Sequence, residues 1–247
     1  DYKEIGGEDS DVKLSDYRGK DVVYYCMYDE DKADGHIQKN KWRKTWAPED
    51  AYEEDEDADK YWYWIEKDGK VYIPDVEDMK ARGFAYDLGD GALEKDGDED
   101  FYFAKKKVNS KDYFFNNRGE MLSDFVNVVE TDDASVINTG MYYFGGSDDG
   151  SMKTGSQSIK DNTGDTYKFY FYTKDQNITD YKSNSGAKLY KGAGVIGNQS
   201  NKLYYYGMLI QADDYKYQLA TVNGKTFIVN SNGSIQHSAI DYKEDGD

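Results

Sequence analysis

Six aromatic residues carry the most explicit chemistry in this chain: Trp42 and Trp46, and the unbroken run Tyr61-Trp62-Tyr63-Trp64. An exposed indole or phenol face can stack on the apolar face of a sugar ring. It can also attract a cation through the ring quadrupole, for which Trp is the best ring. Trp62 and Trp64, then Trp42 and Trp46, are therefore the leading ligand-binding candidates, with Tyr61 and Tyr63 flanking them. The competing reading of any such run is that the rings are glue between strands, and for most individual tyrosines that is the expected role.

Catalytic chemistry finds little support. His36 and His237 stand near turn glycines with no nucleophile pattern around them, and Cys26 sits in YYCMY as a small apolar residue. No GxSxG, phosphate-binding loop or HExxH is present. Paired carboxylates could hydrolyse a glycoside, yet among 49 acidic residues no pair stands out. The loop from Asp96 has acids at positions 1, 3 and 5 of a calcium loop, but Phe101 replaces the required Gly and Lys107 the closing Glu. The chain is expected to be no enzyme, with no metal site and no cofactor.

Composition narrows the partners. A formal charge of −18 opposes nucleic acid, whose phosphates call for Lys and Arg. The same charge repels anionic lipid, and no apolar run approaches the ~20 residues of a membrane span. Cationic groups and neutral glycans remain compatible. Tyr, with 25 copies against 10 Phe and 4 Trp, dominates the aromatic content, which suits thin structures with half-exposed rings better than a thick aliphatic core. One cysteine excludes an internal disulfide and a cysteine zinc site.

The elements that must position these rings are strands. YFFNNRGEML (113–122), YYFGGSDDGSM (142–152) and TFIVNSNGSI (226–235) share one plan: an aromatic strand, a polar turn, then Gly-x-apolar. The Gly-x-apolar step also occurs at Gly35-His36-Ile37 and Gly91-Ala92-Leu93, at irregular intervals. Alternation sends Tyr113 and Phe115 to one face and Phe114 to the other, so both faces must be covered. The same is expected of Tyr142-Tyr143-Phe144 and Tyr204-Tyr205-Tyr206. Asp68-Gly69 and Asn223-Gly224 are two-residue hairpin signals. A lone hairpin is marginal in water, so neighbours must stack.

The fold class expected is all-β: tandem β-hairpin repeats stacked as a solenoid-like array, with minor short helical turns. One such turn is expected in the Pro74–Gly83 segment; Pro48–Lys60, PEDAYEEDEDADK, reads as a short acidic helix or a solvated loop. Residues 1–60 form a less regular N-terminal segment with one outlying hairpin repeat. Residues 61–247 form a degenerate hairpin array, truncated at its C-terminus, where DYKEDGD reads as a turn before a missing strand. The start lacks both an initiator Met and a signal peptide, as a mature form or excised piece would.

The repeat unit resembles the cell-wall-binding repeat family, which includes choline-binding modules of Gram-positive surface proteins and repeats of clostridial toxins and glucan-binding enzymes. The resemblance rests on YFFNNRGEML and YYFGGSDDGSMKTG, and more loosely on VYIPDVEDMKARGF and FIVNSNGSIQ, and covers about residues 60–240. An outlying copy is YYCMYDEDKADGHIQKNKW (24–42). The family's Gly-Trp opener is nearly absent here. The resemblance implies an extracellular, surface-attached protein of a Gram-positive bacterium that binds wall polysaccharide or teichoic-acid substituents. It also implies an aromatic cage for a quaternary ammonium, for which Tyr61-Trp62-Tyr63-Trp64 is the equipped segment. Each site would be weak, with repetition supplying avidity. The alternative is a structural stalk, spacer or self-assembling fibre subunit, in which self-association consumes the aromatic faces.

Overall fold

The computed structural model describes residues 38–46, 59–74, 81–87, 91–92, 102–116, 118–129, 140–175, 191–213 and 216–238. All regular structure among them is strand. The strands are β1 (Lys41–Trp46), β2 (Lys60–Ile65), β3 (Ala81–Asp87), β4 (Gly91–Ala92), β5 (Tyr102–Val108), β6 (Lys111–Asn116), β7 (Phe125–Val129) and β8 (Gly140–Tyr143). They continue as β9 (Gly155–Lys160), β10 (Thr166–Phe171), β11 (Gly197–Gln199), β12 (Lys202–Tyr205), β13 (Met208–Leu209), β14 (Tyr217–Val222) and β15 (Lys225–Asn230). The all-β hairpin fold is as expected. The helical turns are not found among the described residues: Ala81–Gly83 open β3 instead, while 75–80 and 47–58 lie outside those residues.

Two turn types recur among the described residues. The first is a two-residue turn with both residues at positive φ, whose twist matches that of the flanking strands. It occurs at Asn109-Ser110, Ser200-Asn201, Tyr206-Gly207 and Asn223-Gly224. The second spans five residues, with glycine fourth. In Asn116–Glu120, Asn116 Oδ1 accepts from the amides of Arg118 and Glu120, both at 2.9 Å, and Gly119 N–H donates to the Asn116 carbonyl at 3.0 Å. Asn230–Ser234 repeats this, with Asn230 Oδ1 accepting from Asn232 and Ser234 at 3.0 Å each. Asp161–Asp165 does so too, at 3.0 and 2.9 Å. Short polar side chains satisfy turn amides that water would otherwise have to reach. Glu66–Lys70 keeps the backbone pattern with a longer acid in first place. Asp68-Gly69 is thus the middle of a five-residue turn, not a two-residue hairpin loop.

After the five-residue turn the chain folds back on its own strand. Tyr72 N–H donates to the Trp64 carbonyl, Leu122 to Phe114 and Gln236 to Ile228, at 2.8, 2.8 and 2.9 Å. This is the structural content of the Gly-x-apolar signature: the apolar residue pairs across the turn, as Met121 does with Phe115 and Ile235 with Val229. The glycine meets an earlier segment. A Cβ on Gly119 would lie 2.6 Å from the Tyr72 carbonyl oxygen, and one on Gly150 would strike Met121.

The chain divides into two compact units, residues 1–82 with 95–123 and 146–151, and residues 83–94 with 124–145 and 152–247. In the first, hairpin β1–β2 and hairpin β5–β6 pack through a cluster of Trp64, Val108, Tyr113 and Phe115, edged by Trp42, Tyr72 and Met121. Phe114 faces the other way and stacks on Phe103 at 5.0 Å, so β6 is buried on both faces. In the second unit, Phe125, Ile159, Phe169 and Phe171 form the core with Met141 and Tyr143 against it. Tyr142 and Phe144 are buried and Tyr143 between them packs against that core, as expected of a strand covered on both sides. Tyr204-Tyr205-Tyr206 departs from that reading: Tyr205 is 47% exposed and Tyr206 occupies a turn.

Candidate functional site

Register decides what the tryptophans can do. β1 and β2 run antiparallel with Trp42 opposite Trp64, Lys44 opposite Trp62 and Trp46 opposite Lys60. Side chains directly opposite share a face, so one face of this hairpin carries Trp and Lys in alternation. The other face carries Tyr61 and Tyr63.

The six candidates separate into two groups. Trp64 and Tyr63 are buried, at 5% and 1% exposure, and Trp42 is half-buried. Trp42 makes edge contact with Trp64 at 5.4 Å, tilts on Tyr113 at 4.8 Å and stacks on Phe115 at 5.7 Å. Tyr63 directs its hydroxyl to Glu120 Oε1 at 3.4 Å, while Asn116 Nδ2 donates to Glu120 Oε2 at 2.6 Å. Trp42, Trp64 and Tyr63 therefore hold the hairpins together.

Trp46 and Trp62 are only half-buried, and each already faces an ammonium. Lys60 Nζ lies 4.1 Å from the Trp46 ring centroid and Lys44 Nζ 5.9 Å from that of Trp62. Asp148 Oδ1 accepts from Lys44 Nζ at 2.7 Å and from Trp62 Nε1 at 3.0 Å. The Lys44 hydrogen bond, then that of the Trp62 indole, then the Lys44 charge hold the Asp148 carboxyl below its ordinary value of 3.8. The carboxylate fixes the indole edge, and the Lys44 ammonium stands over the ring face. Tyr61, 37% exposed, lies on the opposite face.

Asp148, Lys44 and Lys60 were not among the residues singled out from sequence. The signal for the lysines is Lys-x-Trp in both strands, Lys44-Thr45-Trp46 and Lys60-Tyr61-Trp62, which antiparallel pairing turns into cross-strand Lys–Trp contacts. For Asp148, in the acidic loop Gly146–Ser151, no local signal exists. His237 is exposed and contacts Asn201, and His36 lies outside the described residues.

Among the described residues no cluster of three or more His, Cys, Asp or Glu could hold a metal, and no helix is long and apolar enough to cross a membrane. No protein-family model matches the chain, and comparison with curated proteins gives no match. Among solved structures, the chain is similar to CbpF in complex with ipratropium, with a TM-score of 0.31 and 18% identity. That similarity covers 87% of this chain and 58% of CbpF, so the chain spans little more than half of that structure's length. It is also similar to CbpJ from Streptococcus pneumoniae TIGR4, with a TM-score of 0.16, 19% identity and coverage of 72% of this chain and 77% of CbpJ. A third similarity is to an alternansucrase in complex with isomaltononaose, at a TM-score of 0.15, 14% identity and coverage of 71% and 16%. At such TM-scores whole folds do not superpose.

Proposed function

We propose that this protein is a non-catalytic, extracellular attachment module that binds the envelope of a Gram-positive cell. It recognises quaternary-ammonium substituents of teichoic acid, or neutral wall polysaccharide, through Trp46 and Trp62. The observation that carries this reading is that both indole faces hold an ammonium group of the chain's own lysines, at 4.1 and 5.9 Å. Rings that hold an ammonium of the chain's own can exchange it for an ammonium of a ligand. An exposed cation–π contact is worth only about 0.5–1 kcal/mol, so an incoming ligand can displace Lys60 from Trp46 at little cost, whereas Lys44 is held by Asp148 as well. A charge of −18 adds long-range attraction for cationic groups and repulsion for bare phosphate. Single sites of this kind are weak, and attachment relies on several acting together.

Burial of Trp42, Trp64 and Tyr63 favours a second reading, a structural spacer whose rings serve hairpin stacking and self-association. Titration of the chain with choline, following Trp fluorescence, separates the two. The attachment reading expects a saturable change that Trp46→Ala/Trp62→Ala removes. A flat response in the folded chain favours the spacer.

A further inference from the structure

The second unit contains a groove of about 700 Å³, remote in sequence from every tryptophan. It opens where β10 and β13 part. The two strands pair at Phe169–Met208, and β13 ends one residue later at Leu209, whereas β10 extends back to Thr166. The divergence exposes two apolar side chains on one face: Tyr167 is 43% exposed and Met208 42%. Tyr167 shares the face of Phe169 by alternation, and Met208 shares it by pairing.

The backbone contributes as well. Tyr170 N–H donates to the Gly207 carbonyl at 2.8 Å, and Val195 N–H donates to the Tyr170 carbonyl at 3.0 Å. Even-numbered residues of β10 therefore point their peptide groups away from β9. Thr166, which lines the groove, has its amide and carbonyl on the side away from β9. Gln211, Gln218, Asp165 and Asp213 also line the groove. Among the described residues, the Gln211, Gln218 and Asp213 side chains make no hydrogen bond within the chain.

We propose that this groove is a second ligand site, for a neutral oligosaccharide, with Tyr167 as the stacking platform and Gln211, Gln218 and Asp213 as hydroxyl partners. A sugar presents an apolar C–H face and an equatorial ring of hydroxyls that donate and accept. The groove supplies an apolar ring next to amides, which do both, and carboxylates, which accept. Asp165 and Asp213 oppose an anionic ligand, and Lys168 in the same lining opposes a simple cation. The proposal adds a glycan site to the attachment reading and does not use Trp46 or Trp62.

The test is a heteronuclear NMR titration of the full chain with maltohexaose and, separately, chitohexaose. At least one sugar should give saturable shifts at Thr166, Tyr167, Gln211 and Gln218. Tyr167→Ala should weaken binding by about tenfold, the loss expected when a stacking ring is removed. Gln218→Ala, at an exposed strand position, should weaken it less. Absence of saturable shifts with both sugars would overturn the proposal, as would undiminished affinity in both groove variants. Shifts confined to the tryptophan hairpin would also overturn it while leaving the attachment reading intact. Equivalent shifts on adding tetramethylammonium would make the groove a cation site and refute the saccharide assignment.

Discussion

Gly164 and Gly233 hold the same place in two copies of the same turn, so replacing each with alanine separates backbone strain from packing. Both donate to the carbonyl three residues back, at 3.2 and 2.9 Å, and both have positive φ, +95° and +73°. An L-residue there costs roughly 1–2 kcal/mol in either turn. Their surroundings differ. Nothing lies within 4 Å of a Cβ on Gly164, whereas one on Gly233 would meet Leu209 Cδ1 at 2.5 Å and the Ile210 carbonyl oxygen at 2.9 Å. Leu209 is 7% exposed and cannot swing into solvent, and the carbonyl belongs to the backbone. Forcing a methyl into a packed site costs about 1–3 kcal/mol more. Gly164→Ala should therefore cost about 1–2 kcal/mol and Gly233→Ala about 2–5 kcal/mol. Both lie in the second unit, so one urea denaturation series followed by far-UV circular dichroism reports on both. Equal losses, or a greater loss at Gly164, would refute the claim that turn glycines stack on an earlier apolar segment.

Other consequences are as direct. Glu120 is 6% exposed and accepts from Asn116 and Tyr63; Glu120→Ala removes a buried acceptor and should cost about 1–3 kcal/mol by urea denaturation, while an unchanged midpoint would show that this network contributes nothing. Asp148 has its folded-state pKa below the ordinary 3.8, so its stabilising contribution is present above 3.8 and is lost as pH falls through the lower folded value. An NMR titration of the carboxyl should give a midpoint below 3.8 that Lys44→Met raises; a midpoint insensitive to that change would contradict the assignment. In the choline titration, Lys44→Ala/Lys60→Ala should bind more tightly than the parent chain, because the internal competitors are gone, and weaker binding would contradict the displacement step.

The hairpins were legible because their signals are local. Among the described residues, the aromatic runs at 113–115 and 142–144, Asn223-Gly224 and the Gly-x-apolar steps at Gly119 and Gly233 survive into the structure, while Gly35-His36-Ile37 and Leu93 lie outside those residues. The turns at Asn109-Ser110 and Ser200-Asn201 were not, because neither contains glycine and their positive φ follows from the register of the flanking strands. Tyr206 defeated the alternation rule for a related reason: the adjoining Gly207 makes a turn, so a third consecutive tyrosine leaves the strand. The site was legible in residue type and not in role. Nothing within Tyr61-Trp62-Tyr63-Trp64 distinguishes Trp64, which lies against Tyr113 and Phe115 from a distant hairpin, from Trp62, which faces Lys44. Asp148 reaches Trp62 across 86 residues of chain, beyond any local pattern.

The measurement bearing most directly on the central claim is co-sedimentation of the chain with purified Gram-positive cell walls, with and without free choline, alongside Trp46→Ala/Trp62→Ala. These two positions are preferable to Trp64, whose burial would confound lost binding with lost folding. The account predicts that the parent chain pellets with the walls, that choline releases it, and that the folded variant stays largely in solution. Equal pelleting of parent and variant, insensitive to choline, would contradict it, as would a folded parent chain that remains in the supernatant with walls from several sources.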